Sequence, residues 1–350
     1  MAQENNTGDL TRFKALSFDC YSTLINWEPS MIQALQPIIT KLPSDHPYVK
    51  DNQLALQRFD KFSYTLEHEQ PTLKYDLNLI AAMKKLAAEV GVADALTDDD
   101  LQVMAKGPGR WPAFPDTVEG LKTLKKHYKL IILSNVDNAN VAATTSGALG
   151  GVPFDAVYTA EDIGSYKPSR ANFEYLFRHA RDDLGVDVDA GELLHVARSL
   201  RVDHTAAKAI GFKSCWISRG GDKKGGQGIG GDYEKLVGNG EVSFQWQFDT
   251  IGDFAAEVAR QFGDDKAWGK DLQPRPQVIQ CQIRPLFPCL CGSHVGFSHA
   301  KCQVVELGER LSEVLSACLI ISIIVIGIIN INIIIIQFFW KCVDLVLGIF

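Results

Sequence analysis

Apolar positions along this chain follow three spacing patterns in turn, and each predicts a different kind of structure. The first run, 13–18, is too short for a helix and ends in the polar cluster Asp19-Cys20-Tyr21-Ser22-Thr23. It predicts a buried strand that delivers a loop. Over 29–109 the spacing is helical. Leu35, Ile38, Ile39 and Leu42 form one set, Leu54, Leu56, Phe59, Phe62 and Leu66 a second, and Leu77, Ile80, Met83 and Leu86 a third, with breaks at Pro43, Pro47 and Pro71. After Trp111, strands and helices alternate. Strands are expected at 130–133, 154–158, 193–196 and 214–217. Helices are expected from an Asp116 cap to about 128, at 169–183, at 202–210 before Gly211, and at about 250–262.

Such alternation implies an α/β fold, Rossmann-like, with a parallel sheet and crossover helices on both faces. The expected organisation is a core of 1–27 and 111–263, an all-helical insertion at 28–110, and an atypical tail at 264–350. In open parallel sheets, ligands bind beyond the carboxyl ends of the strands. The polar clusters at 19–23, 134–135 and 198–203 fall there, and Lys167 falls in the loop after another strand.

The composition is globular, with 46% hydrophobic and 22% charged residues among 350, which excludes disorder as the main state. A net charge of -7 argues against nucleic acid as partner. The start, MAQENNTGDL, has neither the basic residues nor the apolar stretch of a secretory signal. Cys20 and Cys215 alone precede residue 264, which fits a reducing, cytoplasmic compartment. The other six cysteines lie in the tail, where 314–340 is 27 residues without a charge. That exceeds the roughly 20 residues of a membrane-spanning helix. Two readings stay open, a C-terminal membrane anchor and translated sequence that the folded protein does not need. Cys289, Cys291 and Cys302 with His294 and His299 lack the usual zinc spacing, and simple thiols are the plainer reading. Gly226, Gly228 and Gly231 match a dinucleotide fingerprint only formally, because they sit in the glycine-rich stretch 220–232 rather than in a strand-turn-helix unit.

The chemistry lies in four fragments: Phe18-Asp19-Cys20-Tyr21-Ser22-Thr23-Leu24, Leu133-Ser134-Asn135, Lys167-Pro168 and His195-Val196-Ala197-Arg198-Ser199-Leu200-Arg201-Val202-Asp203. A strand-end aspartate suits a turn, but it also suits a nucleophile that splits one displacement into two easier steps. Lys167 can keep it ionised. Ser134 and Asn135 can cap a helix and still offer donors to a carboxylate or a departing anion. Asp203 can favour a helix dipole, or orient the water that cleaves an ester. Cys20 adjoins Asp19 but points away if the strand pleat continues, so it is read as packing.

In order and spacing these fragments resemble the motifs of the haloacid dehalogenase (HAD) superfamily, over roughly 12–263, with 28–110 where many members carry a cap domain. The resemblance implies Asp19, Lys167 and Asp203 as catalytic, and Tyr21, Thr23, Ser134, Asn135 and Ser199 as substrate-binding. HAD phosphatases carry a second Asp two positions after the nucleophile. Here that position is Tyr21, as in the L-2-haloacid dehalogenase branch, where halide leaves without a proton. They also carry a Gly-Asp-Ser run for magnesium, where this chain has Ala197-Arg198-Ser199. Arginine offers no oxygen ligand, and a like charge at 4 Å costs about 4 kcal/mol at an effective dielectric of 20. The implied activity is hydrolytic dehalogenation of small 2-haloalkanoic acids to 2-hydroxy acids through an aspartyl ester, with no metal or other cofactor. The alternatives are a magnesium-dependent phosphatase of a small ester and a non-catalytic binding protein. Ser22 departs from the more usual Gly, and Arg198-Ser199-Leu200 departs from the Ser-Ser-Asn-like run of the dehalogenases. A cap arginine near the halide is expected, and Arg58 is the candidate by type and region, against the plainer reading of a solvated helix face. A small-molecule substrate is the expected partner. A homodimer is left open, and a membrane enters only with the tail.

Overall fold

The computed structural model describes residues 8–220, 231 and 233–264, which belong to one compact unit, Met1–Pro276. The expectations for the glycine-rich stretch, apart from Gly220 and Gly231, and for the tail beyond Asp264 lie outside the described residues. No helix among the described residues is long and apolar enough to cross a membrane.

The chain opens with β1 (Ala15–Phe18) and then runs through α1 (Glu28–Ala34), α2 (Gln36–Ile39), α3 (Pro47–Lys50), α4 (Asn52–Glu69), α5 (Tyr75–Glu89) and α6 (Asp98–Ala105). Next come α7 (Thr117–Leu124), β2 (Lys129–Ser134), α8 (Asn138–Ser146), β3 (Ala156–Thr159), α9 (Ala160–Ile163), α10 (Arg170–Asp182) and β4 (Leu193–Ala197). A π-helical turn at Leu200–His204 leads into α11 (Thr205–Ala209), β5 (Ser214–Ile217), α12 (Tyr233–Gly238), β6 (Trp246–Phe248) and α13 (Ile251–Phe262).

The strands form one parallel sheet in the order β3-β2-β1-β4-β5-β6. β1 lies between β2 and β4, with Phe18 in register with Ile132 and Val196. The chain winds outward from β1 in one direction and then in the other, so the switch point of the sheet lies at β1. A strand covered on both faces is apolar throughout, and β1 is buried at all four positions. Its pleat sends Leu16 and Phe18 with Ile132 and Val196 into the cluster that includes Leu121 of α7 and Phe254 of α13. Ala15, Ile131, Leu133 and Leu193 pack on the other face against Phe173 and Leu176 of α10.

Several local features differ from expectation, among them that α7 ends at Leu124 rather than near 128 and that Asp137, not Ser134 or Asn135, caps α8. β6 is only three residues long, too short to show a period, and it completes the sheet beside β5. Asp116 stands before α7 but makes no side-chain cap. Its carboxylate instead pairs with Arg219 Nη1 at 2.6 Å and accepts the Gly252 N–H at 3.1 Å. Finally, the helix expected at 202–210 begins two residues earlier as the π turn, with Ser199 accepting from the Val202 N–H at 3.3 Å. Wide turns of this kind are frequent at functional sites.

Candidate active site

Asp19 is the first residue beyond β1, and its N–H still donates to the Val196 carbonyl at 3.1 Å. The carboxyl therefore stands at the carboxyl edge of the sheet. Three donors converge on it and its neighbour. Thr23 Oγ1 donates to Asp19 Oδ2 at 2.7 Å and accepts the Arg198 N–H at 2.8 Å. Lys167 Nζ donates to Asp19 Oδ1 at 2.9 Å and to Asp203 Oδ1 at 2.7 Å. Asp203 Oδ1 is also 3.0 Å from His195 Nε2, and His195 Nδ1 is 2.9 Å from Ser17 Oγ. The second face of the sheet thus carries a polar row, Ser17 and His195, that ends on Asp203.

Asn135 fixes Lys167 from its backbone. Its Nδ2 donates to the Lys167 carbonyl at 3.0 Å, and its Oδ1 accepts the Lys167 N–H at 2.7 Å. Ser134 Oγ and Asp203 Oδ2 are buried without a hydrogen-bond partner. Such groups in a folded protein call for a role.

The electrostatics follow from this packing. Burial pushes the Asp19 carboxyl above its ordinary value and Asp203 adds to that, against the lowering by Lys167 and Thr23. Burial works against the charge of Lys167, but Asp19 and Asp203 outweigh it and hold the ammonium charged well past the usual lysine range. Burial would also raise Asp203, yet Lys167 and His195 dominate and keep it far below the carboxylate range. The Cys20 thiol is fully buried and pushed up by that burial and by Asp19, which leaves it as packing. Ser22 takes the left-handed conformation, with φ 74°. A side chain there costs about 1–2 kcal/mol relative to glycine, strain held at a loop that aims Asp19 and Tyr21.

Asp19, Tyr21, Ser134, Asn135, Lys167 and Ser199 line one cavity of about 110 Å³. Thr23 and Asp203 act from behind it, through Asp19 and Lys167. The opposite wall is the face of α4 that carries Asp60, Ser63, Tyr64 and Glu67, together with Tyr75 from α5. A second cavity of about 490 Å³ shares Tyr64, Glu67 and Lys167 with the first.

Arg58 is not brought to this cavity. It pairs with Glu89 of α5 and lies over the Phe62 ring, about one third exposed. One residue after the buried Phe59, the helical period turns the chain inward to the pocket at Asp60. The arginine that does line the cavity is Arg201, from the π turn. Its Nη2 is 3.0 Å from Asp60 Oδ2, its guanidinium lies 4.1 Å over the Tyr64 ring, and its Nε is buried without a partner. Sequence reasoning passed over Arg201, Asp60 and Glu67. The spacing of 60, 63, 64 and 67 marks one helix face, but nothing along the chain says that the face looks into a pocket rather than water.

The charged groups around Asp19 are paired with one another. The Lys167 ammonium already bridges the carboxylates of Asp19 and Asp203. Arg198, just beyond β4, is buried, 3.4 Å from Glu28 Oε1. Burial lowers its pKa, while the charges of Glu28 and Asp19 support its cationic form. Among the described residues, no group of three or more His, Cys, Asp or Glu side chains is placed to hold a metal ion.

Residues 13–211 match the family model of haloacid dehalogenase-like hydrolases. The chain belongs to that family. Two curated relatives of this HAD-like hydrolase point to different reactions. It is 26% identical over 215 residues to the 5-amino-6-(5-phospho-D-ribitylamino)uracil phosphatase YigB of Escherichia coli strain K12, covering 59% of this chain and 84% of that protein. It is 33% identical over 114 residues to an (S)-2-haloacid dehalogenase of Pseudomonas sp. strain YL, covering 32% of this chain and 46% of that protein. The structure of the L-2-haloacid dehalogenase of Xanthobacter autotrophicus superposes with a TM-score of 0.54 at 20% identity, covering 70% of this chain and 98% of that one. At that identity the likeness speaks for the fold of this HAD-like hydrolase: a six-stranded parallel sheet with helices and a helical block between its first two strands.

Proposed function

We propose that this HAD-like hydrolase removes halogen from small 2-haloalkanoic acids without a metal ion. The observation that carries the reading is the Lys167 ammonium set between Asp19 and Asp203, an internal cation that balances both carboxylates. In this scheme one Asp19 oxygen attacks the carbon bearing the halogen. The C–O bond forms from the face opposite the halogen, and halide leaves with the bonding pair. Water then adds to the ester carbonyl of Asp19; one of its protons goes to the departing oxygen and the other to solvent, so that Asp19 re-forms as a carboxylate and the 2-hydroxy acid leaves with inverted configuration. Both Asp19 oxygens have a donor, Lys167 on one and Thr23 on the other. Whichever does not attack is therefore held as charge returns to it in the second step.

Tyr21 is a further support. A phosphatase needs an acid for its leaving alcohol, whereas the Tyr21 hydroxyl lies 2.8 Å from Thr144 Oγ1 and burial raises its pKa well above the usual phenol value. A departing halide needs no proton. The cavity of about 110 Å³ suits a small acid, and the helices α1–α6 serve as the cap that closes over it.

The direct test is halide release from 2-chloropropionate by chelator-treated protein. Undiminished release is expected. Its absence, together with magnesium-dependent cleavage of p-nitrophenyl phosphate, would establish the phosphatase reading instead.

Arg201 is the group we assign to the substrate carboxylate, because it lines the cavity and carries a buried N–H without a partner. Charge-assisted hydrogen bonds of this kind contribute about 1.5–3 kcal/mol. Arg201→Ala is accordingly expected to raise KM by roughly 10- to 100-fold, with a smaller change in kcat. Arg58→Ala is expected to leave both within about twofold, as exposed ion pairs contribute little. Equal effects of the two variants in steady-state kinetics would remove Arg201 from this role.

A further inference from the structure

The dehalogenase scheme gives no role to a carboxyl group that stands in the cavity. Glu67 projects from the last turn of α4 onto the wall facing Asp19. Its Oε2 lies 3.4 Å from Asn135 Nδ2, at the amide toward which a halide would depart. The cations that act on it have other partners: Arg201 pairs with Asp60 at 3.0 Å and keeps its Nε for the substrate carboxylate, and Lys167 pairs with Asp19 and Asp203. A carboxylate at this place would face Asp60 on its own helix and would repel both a departing halide and the carboxylate of the substrate. A carboxylic acid would repel neither and would bring a donor.

We propose that Glu67, as a neutral acid, donates a hydrogen bond to the halide leaving the carbon attacked by Asp19, so that the cavity favours halides that accept hydrogen bonds strongly. The inference rests on the dehalogenase reading. No proton is consumed: the C–O bond to Asp19 forms, the carbon–halogen bond breaks with its pair on the halogen, and the Glu67 proton remains shared until the halide diffuses away. The surroundings support the neutral form. Burial pushes the Glu67 carboxyl up to about 8, with Asp60 adding to it and Arg201, Lys167 and the Asn135 amide opposing. Tyr75 of α5 and Tyr166 before Lys167 also face this region, and both phenols are raised by burial and remain uncharged; Asp137 acts on both and Asp76 and Glu161 on Tyr166, all adding negative charge, and Tyr64 and His68 of α4 line the adjoining cavity. Tyr166 is tied to the Leu73 carbonyl and so is not a competing donor.

The experiment is single-turnover halide release from 2-chloro- and 2-bromopropionate across neutral to alkaline pH, for the wild-type protein and Glu67→Gln. A group raised above its ordinary value is neutral below that value and loses its proton as pH rises through it. Wild-type chloride release is therefore expected to fall about tenfold per pH unit above roughly 8. Bromide release, from the weaker acceptor, falls less, so the chloride-to-bromide ratio drops over the same range. In Glu67→Gln, whose amide still donates but does not ionise, both the decline and the drop in ratio disappear. A variant that leaves the alkaline decline unchanged overturns the proposal. The wild-type ratio needs no variant, and a ratio constant through pH 8 overturns it as well. If the wild-type protein releases no halide at any pH, the dehalogenase reading fails and takes this inference with it. That outcome differs from release with an unaltered alkaline limb, which sinks the inference alone.

Discussion

Asp19→Asn is expected to abolish the proposed halide release, by roughly 10⁴-fold or more on the scale of losing a covalent nucleophile. The fold tolerates the change, because Lys167 keeps Asp203 as a partner at 2.7 Å and Thr23 keeps the Arg198 N–H. The sign of the stability effect separates this variant from an unfolded one. The folded state raises the Asp19 pKa above its ordinary value, chiefly by burial. An ionised Asp19 therefore costs stability at neutral pH and costs nothing once it is protonated. Removing the charge leaves the melting temperature equal or higher while activity disappears. The same shift places the acid limb of the wild-type rate profile above the ordinary carboxylate value of 3.8. The covalent step is checked by turnover in heavy-oxygen water under single-turnover conditions. The label enters Asp19 when water attacks the aspartyl ester, and peptide mass spectrometry locates it. Label found only in the product, or residual release by Asp19→Asn above about one per cent, would mean that water attacks the substrate directly.

Lys167→Met has the second largest effect and acts on both activity and stability. The side chain is 1% exposed and is the shared partner of two buried carboxylates. Removing one member of a buried ion pair costs about 3–5 kcal/mol, since the remaining charge is left unpaired. Activity falls by roughly 10²–10³-fold, the scale of deleting one preorganised donor at a developing charge. The pH dependence carries the physical content. In the wild-type protein the Lys167 pKa is raised in the folded state, so its stabilisation is fully present through the neutral range and is lost only as pH rises into the strongly alkaline region. In the variant, Asp19 and Asp203 lose the charge that lowers them, and both take up protons more readily. The stability difference from wild type, measured by urea unfolding, is expected to be largest near pH 7 and to shrink toward pH 5, where protonation relieves the unpaired carboxylates. Any residual activity shifts its acid limb to higher pH. A difference constant between those two pH values would show that Lys167 fills space rather than balances charge.

Much of the fold could be read along the chain. The positions of β1, β2, β4 and β5 follow from short apolar runs bounded by polar loops, and the helical block follows from its 3.6-residue period. Their polar ends locate Asp19, Ser134-Asn135, Lys167 and Asp203, because a parallel sheet gathers its strand ends on one edge. Runs shorter than a period carry no such information, which is why β6 is invisible before the sheet is built. Asp116 illustrates a different limit. It stands where a cap belongs, but Arg219, more than a hundred residues on, takes its carboxylate at 2.6 Å.

What the amino-acid order determined by itself is the kind of chemistry available: an aspartate with a lysine partner, a tyrosine where an acid would stand, and an arginine where a metal ligand would stand. Which groups meet was decided by the tertiary structure. Arg58 and Asp60 are two residues apart on one helix, yet the first pairs with Glu89 on the outside and the second faces the pocket beside Arg201. A helix turns about 100° per residue, so neighbours in sequence look in different directions, and only the packing of α4 over the sheet selects the direction that faces substrate. Charge depends on that same packing. Glu67 and Asp203 are both acids in the sequence, but desolvation raises one to about 8 while a buried lysine holds the other ionised.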